Sequence, residues 1–227
     1  MAECCFAAPR NCREPAPRGM ISTMNQLFRN TDLRSADLPM TTQAAEGLAR
    51  RRWSVAEIEA LTRAGVLDEN ERFELIGGEI VPMNAKGIRH EVLKNALIYH
   101  FVRNAPVAFV FAGETTFRLS DDSFVEPDFV FFRKADGLAA LAPKTSLLAV
   151  EVADSSLRWD LGRKALLYAH FGIPELWVID VVSETTHVHT EPGLEGYRSI
   201  REVAADAEVA SLAVPGLSVA LAALERF

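Results

Sequence analysis

The sequence predicts an α/β or α+β sandwich, and two observations carry that prediction. Two nearly continuous apolar runs, VEPDFVFF from Val125 to Phe132 and LLAVEVAD from Leu147 to Asp154, are typical of β-strands covered on both faces. A helical segment follows the second run and leads to a third strand, ELWVID from Glu175 to Asp180, which completes a β-α-β unit. Many strands and few helices around such a unit indicate this fold class.

Size and composition indicate one soluble domain with additional residues at one end. The chain has 227 residues, of which 49% are hydrophobic and 24% are charged. Residues 1–45 mix Pro, Arg, Ser, Thr and Met without sustained periodicity, and several internal methionines offer later start sites. We therefore predict a disordered or mis-annotated N-terminal extension over residues 1–45 and a folded domain over residues 46–227.

The cysteines and the apolar runs bear on location. Cys4, Cys5 and Cys12 are the only cysteines and lie in the N-terminal segment, which excludes a secreted domain held by disulfides. A zinc site would need a fourth ligand, and the nearest histidine is His90, so zinc is not expected. The N-terminus lacks the apolar core of a secretory signal, and no run reaches the ~20 apolar residues of a membrane span. We expect a cytoplasmic protein without membrane contact.

The first elements are a capped helix and a hairpin. Ser54 followed by Glu57 predicts a helix start with a capping box, and Gly65 predicts its end. The run RFELIGGEIVPM, from Arg72 to Met83, predicts two short strands that turn at Gly77-Gly78. These glycines lack a following helix and lysine, so they do not indicate a phosphate-binding loop.

Further elements follow from periodicity and from turn residues. One of them, an edge strand at 185–190, carries His187 and His189 on the same face. Such a pair could ligate a metal, but without a third ligand we interpret both as surface residues. The three tryptophans are scattered and are interpreted as core residues. The remaining predicted elements are a helix from Ile88 to Val102, strands at 107–112 and 115–119 joined at Gly113, a loop at 133–146, a helix from Ser156 or Asp160 to Phe171, and a half-exposed antiparallel edge strand at 185–190.

Two acids in the apolar runs are the first candidate site residues. Asp128 and Glu151 each stand alone among apolar neighbours, where a carboxylate loses hydration unless a partner compensates it. If the two strands are neighbours, both carboxylates can meet around Mg²⁺, which activates water and stabilises a phosphoryl transition state. The alternative is that each acid lies at a strand end and is simply solvated.

Lys164 lies on the helix that leaves the Glu151 strand. Its flexible ammonium could reach back over the carboxylates and orient an attacking water or meet developing negative charge. The alternative is an exposed i,i+4 ion pair with Asp160, worth ~0.3–0.5 kcal/mol. Both interpretations can hold together.

Several separated motifs carry a family resemblance. Pro127-Asp128, EVADSS from Glu151 and DLGRKALLYAHFGIPELWVID from Asp160 resemble, in this order, the Uma-two family of putative restriction endonucleases. This family is a branch of the PD-(D/E)XK nuclease superfamily, and the resemblance covers roughly residues 50–220, including RFELIGGEIVPM and His90. It implies a restriction-endonuclease-like core with a central mixed sheet flanked by helices, Mg²⁺-dependent phosphodiester hydrolysis (Mn²⁺ can substitute) and a homodimer.

The resemblance assigns roles residue by residue. Asp128 matches the aspartate of the motif and Glu151 its second acid, so both would bind the metal, joined by the Val152 carbonyl. The superfamily pattern has a lysine two places after the second acid, where this chain has Ala153. Lys164 would then supply the catalytic lysine from the following helix. If that replacement is wrong, the site binds metal but cleaves poorly.

Four further residues are candidates for a supporting role. Glu79 could add a third carboxylate to the metal site or be a hairpin surface acid, whereas Glu74 is interpreted as structural. His90 could touch a phosphate or the metal-bound waters, or serve in capping or packing. Asp160 would orient Lys164, and Tyr168 would pack beneath the site.

Net charge weighs on the choice between functions. A formal charge of −7 does not suit a protein that coats DNA non-specifically, so DNA would have to meet a local basic patch. We favour a Mg²⁺-dependent DNA endonuclease over a nuclease-fold protein that binds nucleic acid or protein without cutting. A structural oligomer whose acids cap strands is a third interpretation. The cations that could line a groove are Lys86, Arg89, Lys94, Arg158, Arg163 and Lys164.

Overall fold

The computed structural model describes residues 51–68 and 70–226, which belong to one compact unit spanning Arg51–Phe227. The predicted extension at residues 1–45, with its three cysteines, lies outside the described residues. Within the described ranges, no helix combines the length and the apolar character needed to cross a membrane.

The described chain contains three helical segments and twelve strands. In order, the first half comprises α1 (Val55–Arg63), β1 (Phe73–Ile76), β2 (Glu79–Pro82), α2 (Ile88–Asn104), β3 (Phe109–Gly113), β4 (Phe117–Ser120), β5 (Ser123–Val125) and β6 (Phe129–Arg133). The second half comprises β7 (Ser146–Ala153), the segment α3, β8 (Glu175–Asp180), β9 (Thr185–Gly193), β10 (Gly196–Val203), β11 (Val209–Ala210) and β12 (Ser218–Val219). Segment α3 joins a helical turn (Leu157–Trp159), a π-helical turn (Asp160–Lys164) and an α-helix (Ala165–His170). Single 3₁₀ turns lie at Leu138–Ala140 and Leu221–Ala223.

Two larger sheets organise the domain. The six-stranded sheet has the order β10-β9-β8-β7-β6-β3, and the four-stranded sheet has the order β2-β1-β5-β4. Strands β7 and β8 are parallel and joined by α3, while the other pairs of the six-stranded sheet are antiparallel. This confirms the predicted mixed sheet with a central β-α-β unit.

Both faces of the six-stranded sheet are covered, as its continuous apolar strands predicted. On one face, Phe101 of α2 packs edge-to-face against Phe129 and Phe131 of β6. On the other face, Tyr168 of α3 and residues of the four-stranded sheet pack against Val130 of β6 and its neighbours. Helix α1 packs on the far side of the four-stranded sheet.

The predicted local signals are confirmed at the first helix and hairpin. Ser54 and Glu57 form a reciprocal capping box at the start of α1. Gly77 and Gly78 adopt φ values of 58° and 80°, the left-handed region in which glycine avoids the clash of a side chain. Gly78 also lies against Arg52, where an added Cβ would come within 2.6 Å of that residue's Cβ.

Three sequence predictions need correction. The run from Val125 to Phe132 is not one strand, because β5 belongs to the four-stranded sheet and β6 to the six-stranded sheet, so Asp128 lies in the crossing between them. Strand β9 is not an edge, because β10 pairs along its outer side. His189 is accordingly not a surface residue but is 3% exposed, against the ring of Tyr197.

Candidate active site

A cavity of about 280 Å³ lies where the β1–β2 hairpin, the loop at 83–87, the C-terminal end of β7 and the start of α3 come together. Asp128 reaches the cavity from the chain segment between β5 and β6, and Glu151 reaches it from β7, the strand that is parallel to β8. The charged and histidine side chains that line the cavity are Glu74, Lys86, His90, Glu126, Asp128, Glu151, Asp154, Asp160 and Lys164.

Asp128 is buried and lies within hydrogen-bond distance of three nitrogen donors. The backbone N–H of Val152 donates to its Oδ2 at 2.8 Å, just beyond the last ladder pair of β6 and β7. Lys86 Nζ lies 2.7 Å from Oδ1, and His90 Nε2 lies 3.1 Å from the same oxygen. Burial alone would raise the pKa of Asp128, but His90 and Lys86 outweigh it and lower the pKa to about 2.

Glu151 shares one oxygen between a lysine and a tyrosine. Its Oε1 accepts hydrogen bonds from Lys164 Nζ at 3.0 Å and from the Tyr168 hydroxyl at 2.6 Å. Lys164 and Tyr168 are one helical turn apart, so α3 presents both to β7. The two hydrogen bonds from α3 hold the Glu151 carboxyl group in place.

Lys164 also contacts a second acid from the other sheet. Its Nζ lies 2.9 Å from Glu74 Oε1, and that oxygen accepts the backbone N–H of Glu126 at 3.1 Å. Asp160 lines the same cavity and accepts a hydrogen bond from the Ser156 hydroxyl. Among the described residues, the ion pairs of Lys164 are with the two glutamates rather than with Asp160, so the exposed i,i+4 pair is not what forms.

Carboxyl groups outnumber cations around Lys164. Burial raises the pKa of Glu151 to about 8, against the opposing charge of Lys164. Burial likewise raises the pKa of Asp160 to about 6. For Lys164, burial alone would lower the pKa, but the carboxylates of Glu151, Glu74 and Asp160 outweigh it and raise the pKa above its usual value. Lys164 is therefore a stable ammonium group beside carboxyls that are costly to ionise.

The predicted site residues fall into two groups. The structure brings Asp128, Glu151, Lys164, His90, Asp160, Tyr168 and the backbone of Val152 together at or beneath the cavity. Glu79, on the outer strand β2, is partly exposed and is not among the described residues that line it.

Four charged side chains that line the cavity were not among the predicted site residues, namely Glu74, Lys86, Glu126 and Asp154, and the first two contact the predicted residues directly. Glu74 is 3% exposed and belongs to the site, although we interpreted it as structural. It is the one charged residue of a fully buried strand, β1, which is the same signal that singled out Asp128 and Glu151. Lys86 was expected only as a groove cation, and its contact with Asp128 depends on a loop that no periodicity describes.

The predicted groove cations divide in two. Lys86, Lys94 and Lys164 are engaged by carboxylates: Lys86 and Lys94 both contact Glu114, while Lys164 contacts the two buried glutamates. The three arginines are exposed, and Arg89 reaches Asp154 at 2.8 Å.

The side chains around the cavity determine which cation it could hold. Within residues 51–68 and 70–226, no group of three or more His, Cys, Asp or Glu side chains has the arrangement of a metal site. Mg²⁺, however, usually takes one or two carboxylates and keeps several waters. Asp128 and Glu151 match that smaller requirement, and the surplus of buried carboxyls supplies a reason for a cation to bind.

One cavity therefore holds two buried acids beside the six-stranded sheet, Asp128 next to β6 and Glu151 on β7, together with Lys164 of α3. The chain matches the profile of the Uma2 (Uma-two) family, described as "Putative restriction endonuclease", over residues 55–223. The chain therefore belongs to the Uma2 family, which supports a nuclease-like, hydrolytic function.

A solved structure shares the fold. It is the crystal structure of a putative nuclease belonging to DUF820 from Anabaena variabilis ATCC 29413, with a TM-score of 0.59 and 14% sequence identity. The similarity covers 70% of this chain and 93% of that chain. No curated protein matches this sequence.

Proposed function

We propose that this protein is a Mg²⁺-dependent endonuclease that hydrolyses phosphodiester bonds in DNA. The observation that supports this most is that three buried acids line a solvent-accessible cavity with one buried lysine: Glu74 and Glu151 pair with Lys164, and Asp160 lies beside them without a direct ion pair. Such a surplus costs folding free energy unless a further cation binds there. Family membership supports the same reaction class.

The metal ligands would be Asp128, Glu151 and the Val152 carbonyl. The N–H and C=O groups of a strand residue point to the same side, and the Val152 N–H already points at Asp128. When bound, Mg²⁺ would lower the pKa of a water molecule and offset the negative charge of the phosphodiester.

The remaining side chains hold this arrangement. Lys164 is fixed between two glutamates, so its third proton can face a water or a phosphate oxygen in the cavity. Tyr168 fixes the rotamer of Glu151 through its 2.6 Å hydrogen bond. His90 holds Asp128 from the side of α2. Lys164 is the group we propose to orient the attacking water.

A second function is favoured by two observations. Ala153 stands where the superfamily pattern has its lysine, and four of the six candidate groove cations are engaged by carboxylates. A nuclease-fold protein that binds nucleic acid or a protein partner without cutting would tolerate both. Metal-dependent cleavage separates this function from the first.

The test combines calorimetry with strand nicking. Mg²⁺ and Mn²⁺ are titrated into wild type, Asp128→Ala, Lys164→Ala and the exposed-loop control Asp136→Ala, and supercoiled plasmid is incubated with the same samples. The proposal expects saturable binding that only Asp128→Ala loses outright, and nicking that both site variants lose and the control keeps.

Other outcomes select other functions. Metal binding without nicking by wild type supports the non-cutting protein, and no binding at millimolar metal makes the acids structural. Single-stranded DNA and RNA substrates in the same assay define the preferred nucleic acid. The proposed homodimer is tested by light scattering on the purified protein. The proposed cytoplasmic location is tested by cell fractionation.

A further inference from the structure

We propose that Lys86 occupies the cation position at Asp128 in the metal-free protein and must leave this carboxylate when a divalent cation binds. Lys86 would thus set the metal affinity of the site as an internal competitor. This inference rests on the metal site of the proposed function.

Both oxygens of Asp128 already have donors. Oδ2 accepts the Val152 N–H at 2.8 Å, and Oδ1 lies 2.7 Å from Lys86 Nζ. His90 Nε2 lies within 3.2 Å of both oxygens. Three donors around about four acceptor positions leave little room for a cation, so a metal ion that binds Asp128 competes with these groups.

Lys86 is the donor that can move. The Val152 N–H belongs to the backbone of a central strand, and His90 is buried on α2 with its other ring nitrogen 3.1 Å from Glu91. Lys86 lies on the loop at 83–87, outside regular structure, and its side chain is 15% exposed. A flexible four-carbon side chain can swing away without moving the backbone.

A second carboxylate is in place to receive the displaced ammonium group. Lys86 Nζ also contacts Glu114, which Lys94 contacts at 3.1 Å. Glu114 has a φ of 47°, in the left-handed region that a non-glycine residue rarely adopts. Metal entry therefore breaks one ion pair of Lys86 and leaves the other, so the lysine need not become an unpaired buried charge.

The first measurement compares two lysine variants that remove the same charge. Lys86→Met removes the contact with Asp128, whereas Lys94→Met removes a cation that shares Glu114 but does not touch Asp128. If Lys86 occupies Asp128 most of the time, its removal tightens Mn²⁺ binding by about tenfold or more. Lys94→Met changes the dissociation constant by less than about threefold, because only the through-space charge is removed.

The second measurement follows Lys86 itself in wild-type protein. Acylation of lysines by a dilute amine-reactive ester is quantified by peptide mass spectrometry, with and without Mn²⁺, and the exposed Lys144 serves as internal reference. We expect Mn²⁺ to raise the labelling of Lys86 relative to Lys144, because the ammonium loses one partner.

The outcomes separate this inference from the proposed function. If wild type binds Mn²⁺ through Asp128 but Lys86→Met binds Mn²⁺ no more tightly than Lys94→Met, the competitor role of Lys86 is refuted and the metal site stands. If Lys86→Met binds Mn²⁺ and wild type does not, the metal site and the competitor role are both supported. If neither binds, the metal site is overturned and the inference with it. Lower labelling of Lys86 with Mn²⁺ also overturns the inference.

Discussion

Replacing Glu151 by glutamine should stabilise the metal-free protein at alkaline pH, although it removes a proposed metal ligand. Glu151 is 4% exposed, and burial raises its pKa from 4.5 to about 8. Ionising such a group in the folded state costs free energy that glutamine, which does not titrate, avoids. The same change should abolish stabilisation by Mg²⁺.

The sign and magnitude follow from linkage. Because the folded pKa of Glu151 is raised, its contribution is fully favourable below pH 4.5, where folded and unfolded chains both carry the proton. Between pH 4.5 and about 8 the unfolded chain ionises and the folded one does not, so stability falls by ~1.4 kcal/mol per pH unit. The shift limits the total to ~5 kcal/mol, and coupling to Lys164 makes ~2–4 kcal/mol the expected change.

Urea unfolding in EDTA, followed by tryptophan fluorescence at pH 5, 7 and 8.5, measures this difference. The stability of Glu151→Gln relative to wild type should rise steadily across the series. A weaker hydrogen bond from Tyr168 to the new amide would shift all three values alike, so the change with pH is the diagnostic quantity. Glu79→Gln, at a partly exposed site outside the cavity, is the matched control and should give a flat difference.

A flat difference for Glu151→Gln would refute the reasoning, because it would mean that Glu151 is ionised throughout and fully compensated by Lys164. A second contradiction would be equal stabilisation of variant and wild type by millimolar Mg²⁺. Specific binding to the folded state should raise the unfolding free energy of wild type alone.

Two further predictions concern parts of the domain outside the cavity. Burial lowers the pKa of His189 to about 4, so stability present above pH 6.5 is lost as pH falls towards 4, by at most ~3 kcal/mol; His189→Phe should remove this slope in urea unfolding, and the exposed control His170→Phe should keep it. Gly78→Ala should lower the unfolding free energy by ~2–4 kcal/mol, because φ is 80° and the new Cβ meets Arg52 at 2.6 Å. Gly137→Ala, with φ of 74° and no atom within 4 Å, should lower it by only ~1 kcal/mol, and equal losses in thermal unfolding would contradict this.

Local signals and apolar continuity predicted most of the elements. The capping box at Ser54 and the glycine turn at Gly77-Gly78 depend on neighbouring residues alone, and both are confirmed. The buried strands β7 and β8 were recognisable because both of their faces are covered. Their parallel pairing followed from the helix between them.

Predictions failed where long-range pairing decides. In the run from Val125 to Phe132, Pro127 between two acids marks the end of a strand, but it does not show that the next strand belongs to another sheet. The burial of His189 depends on β10 pairing outside β9, and a half-polar strand does not reveal its outer neighbour. Glu79 and Glu74 have similar sequence contexts, and only the position of β1 inside and β2 at the edge separates them.

The acid cluster is hard to explain as structure alone. Buried ion pairs are often replaced by apolar residues without loss of stability, and here the cluster lacks even equal numbers of charges. Glu74 and Glu151 share the ammonium group of Lys164, and Asp160 adds a third carboxyl group without a direct ion pair. A fold that needed only packing would gain stability if Glu74, Glu151 and Lys164 were replaced together by apolar residues of similar volume. The carboxyl groups therefore make physical sense when a cation binds among them, which is the condition the proposed phosphodiester hydrolysis requires.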